Sequence, residues 1–240
     1  MPDRTSLQAW VQPSHLERRA IAICRQAFLA HPARMLVLKD FLLDAVAERL
    51  SRFLSHEACF EAAYGLYAKN VRDGNIAGVS ATAWLEAAAG QRFYRFSDYA
   101  GVRDEFQHSA NQRVFQQFFA ALRSGPFRRF YEAISGLALG PAPLINAYAY
   151  GSGDFLSHHS DDVKSKRLSF VFYLTPGWER RFGGVLHMVH PDGEVTEVAP
   201  DYNSLVVFDV AAQTRHFISA VEPCAGESRR LTVSGWFLTP

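Results

Sequence analysis

Leu144-Ile145-Asn146-Ala147-Tyr148-Ala149-Tyr150 reads as a short strand, and Gly151-Ser152-Gly153 ends it. The same alternation of short apolar run and turn continues to the end of the chain. Candidate strands follow at 168–174, 185–189, 195–198, 205–208, 217–221 and 231–238. Between them stand Pro176-Gly177, Pro191-Asp192-Gly193, Pro200-Asp201 and Pro223, residues that break a ladder or supply turn geometry. Strands so short and so closely spaced predict a β-sandwich or barrel.

Upstream of Gly140-Pro141 the period changes. From Ser14 to about Gly140 the signal is mostly helical. Ser14 can cap a segment in which Leu16, Ala20, Ile23 and Phe28 recur near helical spacing. Met35-Leu36-Val37-Leu38 is a candidate strand, and Asp40 precedes an amphipathic helix over 41–50. The stretch from Arg113 to Ser135 predicts two helices broken at Gly125-Pro126. Its phenylalanine stripe is core packing rather than a ligand box. No repeat or low-complexity linker divides the chain. The reading is therefore one α+β domain over 1–240, with a helical support region at 1–140 and a β core at 141–240.

Composition narrows the function. Hydrophobic residues make up 48% and charged residues 20% of the 240, which is globular and not disordered. A net charge of +1 gives no bulk attraction to nucleic acid or an anionic membrane. The three cysteines are scattered and odd in number, which fits neither a disulfide framework nor a zinc site and suggests a reducing compartment. Neither a signal peptide nor an apolar run long enough to span a bilayer is apparent. The expectation is a soluble, cytoplasmic protein.

The densest cluster of metal-ligating side chains is His158-His159-Ser160-Asp161-Asp162. In extended backbone His159 and Asp161 point to one face and can take two sites on a metal. Neutral imidazoles must do the binding, so protons should compete with metal as pH falls toward the free histidine value of about 6.5. Nine histidines in the chain make a lone His-x-Asp weak evidence. A second copy, His190-Pro191-Asp192-Gly193, is better explained as a turn in which Asp192 bonds its own backbone.

Context raises the first copy. Gly153-Asp154-Phe155-Leu156 stands before His159-Ser160-Asp161, and Arg167 and Tyr173-Leu174-Thr175-Pro176 with Trp178 follow. Then come Gly183-Gly184-Val185-Leu186, Asn203, Leu205-Val206-Val207-Phe208, His216, Ser228-Arg229-Arg230-Leu231 and Ser234-Gly235-Trp236-Phe237. In this order the segment from Tyr148 onward resembles the 2-oxoglutarate- and Fe(II)-dependent oxygenases of the prolyl 4-hydroxylase type. Within that group it is most similar to the catalytic domain of ribosomal prolyl hydroxylases. The first 140 residues match loosely, as variable helices.

The resemblance implies a double-stranded β-helix (jelly-roll) core buttressed by the N-terminal helices. It also implies a facial triad of His159, Asp161 and His216 on Fe(II), leaving three adjacent sites for 2-oxoglutarate and O2. His158 is the competitor for the first position; on the strand period it faces away, as an outer-shell or core residue. Arg230 would clamp the distal carboxylate of 2-oxoglutarate, because guanidinium is permanently charged and forks to a carboxylate. Arg229 should leave by the opposite face. Ser234 shares the face of Arg230, and for Tyr173 two roles stay open, donation to the same carboxylate and plain packing. Tyr150 and Trp178 are candidates for the substrate mouth, whereas Arg167, Gly183 and Gly184 look structural. Ser160 replaces an acidic residue of the nearest relatives, and the sequence stops at Pro240 where the ribosomal enzymes continue into a second, related domain.

The implied activity is oxidative hydroxylation of an unactivated C–H, with 2-oxoglutarate decarboxylated to succinate and CO2. Substrates compatible with it are a peptidyl proline, a free amino acid or another small metabolite, and the sequence does not indicate an oligomeric state. The alternative is a non-catalytic, cupin-like module that binds metal or 2-oxoglutarate; it would not need Arg230 in register with His216. A halogenase on this scaffold would replace Asp161 by a small residue.

Overall fold

The computed structural model describes residues 6–67, 76–161, 165–212 and 214–240. Its helices in chain order are the single turn α1 (Pro13–Leu16), α2 (Arg18–Ala30), α3 (Asp44–Arg52), α4 (Ala81–Glu86), α5 (Ala110–Leu122) and α6 (Gly125–Ser135). The strands before the core are β1 (Met35–Leu38), β2 (Ala58–Tyr67), β3 (Ile76–Val79) and β4 (Arg92–Val102). Those after Gly140 are β5 (Leu144–Tyr150), β6 (Phe155–His159), β7 (Lys166–Tyr173), β8 (Leu186–Val189), β9 (Val195–Val198), β10 (Ser204–Asp209), β11 (Arg215–Ile218) and β12 (Arg230–Leu238).

All pairings are antiparallel, and the path runs β1-β10-β7-β12-β5-β4-β6-β11-β8-β9, with β2 and β3 hanging from β4. The path curls back on itself. Met35, Tyr173, Val206 and Phe208 of one wall meet Leu186, Met188 and Val198 of the other in a shared apolar cluster. This is the double-stranded β-helix.

The strands of the first wall are buried on both faces, which is why they read as nearly continuous apolar runs. On β7, Leu168, Phe170 and Phe172 face outward and Ser169, Val171 and Tyr173 face the barrel interior. On β12, Leu231, Val233 and Phe237 face outward and Arg230, Thr232, Ser234 and Trp236 inward. The outward set packs under the helices against Phe28, Phe41, Phe118, Phe127, Tyr131 and Ile134, all fully buried. Burying a side chain of this kind contributes about 1.5–3 kcal/mol, so this layer is the main hydrophobic support of the barrel. The phenylalanine stripe is core, and Gly125-Pro126 opens α6 after α5 has ended.

Three readings from the sequence need correction. The region 1–140 is not helical throughout, because 58–102 carries β2, β3 and β4. The alanines of β2 favour a helix weakly, but pairing to the aromatic-rich β4 overrides that propensity. Secondly, Ser14 lies within the single turn α1, and the long helix starts only at Arg18. Thirdly, the helix expected over 41–50 begins at Asp44. Asn203, itself at φ 58°, holds the preceding segment extended. Its amide donates to Leu42 O at 2.9 Å and accepts from Leu42 N–H at 3.0 Å, while its carbonyl accepts from Phe41 N–H at 2.9 Å.

The three cysteines are free. Among the described residues no helix is long and apolar enough to cross a membrane.

Candidate metal centre and adjoining cavity

β6 and β11 pair so that His159 and His216 are directly opposed, with ring centroids 4.1 Å apart. The pairing contains a bulge: Ile218 faces Leu156, two residues along β11 but three along β6. The extra residue re-aims the strand, so Leu156 and His159 both line the interior although they differ in parity. His158 is turned out, where its ring packs at a tilt against Phe217, centroids 4.1 Å apart. It is exposed rather than an outer-shell or core residue.

The Nδ1–H of His159 donates to Ser157 O at 2.9 Å, which leaves Nε2 free to ligate. Asp161 lies just beyond the end of β6, and its two oxygens are each 3.7 Å from a histidine Nε2: Oδ1 from His159 and Oδ2 from His216. The three ligand atoms all fall within 4.8 Å of one another. Burial, with the neighbouring His159, pushes His216 down to about 3, and burial likewise lowers His159. For Asp161 burial acts upward, but the facing histidines, Lys166 and the Trp236 N–H outweigh it, and the carboxyl stays below its usual range. Two neutral imidazoles and one carboxylate are thus ready at neutral pH. The expected proton competition near 6.5 moves to lower pH, because burial disfavours the imidazolium.

Beside the triad opens a cavity of about 200 Å³. Arg230 lines it, is 2% exposed, and has no carboxylate partner among the described residues. Its Nη2 donates to the Tyr173 hydroxyl at 3.2 Å, and its guanidinium lies over the rings of Tyr150 and Tyr173 at 5.0 and 4.8 Å. Its Nε is buried with no acceptor among the described residues. Gly184, at φ 64°, makes room for it: a Cβ there would come within 2.9 Å of Arg230 Cδ. A buried cation with an orphaned donor in a cavity suits an anionic ligand. Together with the nitrogen and oxygen donor set, these residues fit Fe(II) and a dicarboxylate such as 2-oxoglutarate.

Tyr173, Ser234 and Tyr150 also line this cavity. Arg229 does not; it lies over Phe60 at 5.0 Å on the other face. Trp178, expected at the substrate mouth, is not part of the lining. Its indole donates to Gly183 O at 3.0 Å and its ring packs edge-on against Phe182, so it braces the glycine turn. Arg167 pairs with Asp209 of β10 at 2.8 Å, a structural role. Asp192 accepts from Glu194 N–H at 3.0 Å and His190 meets Thr196 at 2.8 Å, so the second His-x-Asp is a turn. Asp162 lies outside the described residues.

Several lining residues escaped the sequence reading. Phe93, Tyr94 and Phe96 come from β4, the strand hidden in the supposedly helical region. Lys166 and Trp236 stand beside Asp161. Trp236 had a readable signal, being on the face of Arg230 and Ser234 along β12.

Residues 145–238 match the family described as the 2OG-Fe(II) oxygenase superfamily. A mouse protein named prolyl 3-hydroxylase OGFOD1 is 33% identical over 120 residues, which is 48% of this chain but 22% of the mouse protein. The chain thus spans about a fifth of that relative's length. Two solved structures share the fold. A Pseudomonas putida prolyl-4-hydroxylase aligns with TM-score 0.56 at 19% identity, covering 92% of this chain and 99% of that one. A Trichoplax adhaerens prolyl hydroxylase, in complex with a hypoxia inducible factor oxygen degradation domain peptide fragment, aligns with TM-score 0.55 at 12% identity, covering 92% and 93%. Residues 145–238 are thus similar in sequence to the 2OG-Fe(II) oxygenase superfamily, and the chain is similar to a prolyl 3-hydroxylase and shares its fold with prolyl hydroxylases.

Proposed function

We propose that the protein is an Fe(II)- and 2-oxoglutarate-dependent dioxygenase that hydroxylates an unactivated C–H of a prolyl residue in a peptide. The observation that carries this reading is that the His159, Asp161 and His216 cluster and the carboxylate-free Arg230 line one cavity. A cupin-like binding module would share the barrel, but would have no use for Arg230 in register with the triad. Prolyl hydroxylase relatives and the peptide complex among the fold neighbours support the peptidyl substrate over a free amino acid. Three free cysteines support a reducing, cytoplasmic setting.

In this reading His159, Asp161 and His216 hold Fe(II), which when bound supplies the redox chemistry coupling 2-oxoglutarate decarboxylation and O2 to C–H oxidation. Arg230 pairs with the distal carboxylate and fixes the orientation of the cosubstrate. The Tyr173 hydroxyl accepts from Arg230 and keeps its own proton to donate to that carboxylate; burial holds its pKa up, so the proton stays in place. Ser234 offers a hydroxyl on the same face. Tyr150 with Phe93 and Phe96 lines an apolar approach that excludes water from the reacting centre.

The test is succinate release by the Fe(II)-loaded protein with 2-oxoglutarate and O2, offered proline-containing peptides or free amino acids, with product mass read for one added oxygen. Peptide-dependent turnover supports the proposal. Turnover confined to free amino acids overturns the peptidyl assignment, and cosubstrate binding without turnover under any condition favours the binding module.

A further inference from the structure

We infer that Trp236 is a positioning residue that restricts Asp161 to a single ligating oxygen, Oδ1, and thereby keeps a third coordination site open; this rests on the proposed oxygenase reading. A carboxylate can bind a metal through one oxygen or both. With two imidazoles already bound, a bidentate aspartate would fill four of six octahedral sites and leave too few for a chelating 2-oxo acid plus O2. Something must therefore occupy the second oxygen.

Trp236 does so. Its Nε1–H donates to Asp161 Oδ2 at 2.6 Å, a charge-assisted bond. Indole N–H is donor-only, so the direction of the bond is not in question, and it cannot compete as a ligand itself. Among the described residues Asp161 Oδ1 has no such donor: His159 Nε2 lies 3.7 Å away and Lys166 Nζ 3.6 Å, both beyond hydrogen-bond reach. The ring that carries the donor is itself fixed. Lys166 Nζ lies 3.6 Å over its face, and β12 pairs Trp236 with Ser169 of β7 and Leu144 of β5. With its ring plane held, the N–H direction is set before metal arrives. Packing alone would not call for an indole aimed at a metal ligand.

The test uses the full chain loaded with Co(II), whose d–d absorption reports coordination without turnover. Trp236→Phe keeps the aromatic face for Lys166 and deletes the donor. Its Co(II) form should show an altered d–d spectrum and bind 2-oxoglutarate about 10–100-fold more weakly than the wild type, the range typical for loss of an outer partner of a metal ligand. Either the spectrum or the 2-oxoglutarate affinity remaining at the wild-type value overturns the inference. Should Trp236→Phe fail to fold, site-specific 3-benzothienylalanine at position 236, which exchanges only N–H for sulfur, decides by the same two readouts. Wild type that takes up no Co(II) would instead sink the oxygenase reading, and this inference with it.

Discussion

At the scale of single residues, parity along a strand distinguishes ligand from bystander. His159 and His158 are adjacent, yet one joins Asp161 and His216 and the other packs outside against Phe217. His159→Ala and His216→Ala should each abolish stoichiometric Fe(II) binding, measured anaerobically, while His158→Ala retains it. Retention in His159→Ala with loss in His158→Ala would place the register one residue off. Arg229 and Arg230 divide the same way. Arg230→Ala should leave iron in place but weaken 2-oxoglutarate binding by about 2–5 kcal/mol, because it removes the fixed partner of a buried charge. That corresponds to roughly thirty- to several-thousand-fold in a titration. Arg230→Lys should recover only part, since an ammonium is a point charge and not a planar fork. Arg229→Ala, with its side chain outside over Phe60, should bind normally. Loss in Arg229→Ala instead would refute the assignment.

Elements carry a different part of the argument. The extra residue in β6 and the attachment of β4 between β5 and β6 turn a one-dimensional pattern into a site. With one edge taken by β2, β4 pairs Asp98 with Tyr148 of β5 and Tyr94 with Leu156 of β6 in succession along its other edge, so it links the two walls and delivers aromatic side chains to the cavity. A second tie connects the helical layer to the barrel: Asn203 satisfies both backbone groups of Leu42, which is fully buried. Asn203→Ala strands a buried N–H and C=O together and should destabilise the protein by about 2 kcal/mol or more. Urea denaturation measures this; a midpoint equal to that of the wild type would show that the pair finds other partners.

For the molecule as a whole, burying two imidazoles in the ligand set makes stability depend on pH. His216 is held near 3 and His159 is also lowered, against 6.5 for an exposed imidazole. Below about 6.5 the unfolded chain takes up protons on these rings and the folded metal-free protein does not. Their neutral burial therefore costs nothing in protonation above that pH, and stability falls as pH drops below it. The slope is up to about 1.4 kcal/mol per pH unit for each ring, extending for His216 toward pH 3. The urea midpoint of metal-free protein should be lower at pH 5.5 than at 7.5, and His216→Phe should flatten part of the dependence. Equal slopes in the two proteins would mean that His216 titrates freely.

Much of this was legible in the residues themselves. Most strands after Gly140 announce themselves because they are short, apolar and bounded by turn residues, and local turn chemistry does not depend on partners; β6 (Phe155–His159) was not among them, and β11 runs over Arg215–Ile218 rather than 217–221. His159, Asp161, His216 and Arg230 keep an order and spacing that a resemblance can recognise, and Arg230 precedes a strand whose period fixes its face. The β structure of 58–102 was not legible, because the helix-favouring alanines of β2 become strand only by pairing with β4. Nor was the bulge that brings Leu156 and His159 to one side, since two-residue periodicity predicts the opposite. Lys166 and Trp236 join Asp161 across strands that lie far apart in the chain, and Trp178 turns from the cavity to brace a glycine turn. Sequence by itself determined what local periodicity and turn preference control. Tertiary structure alone decided which side chains meet across strands, because those meetings depend on register, and register is a property of paired strands rather than of either one.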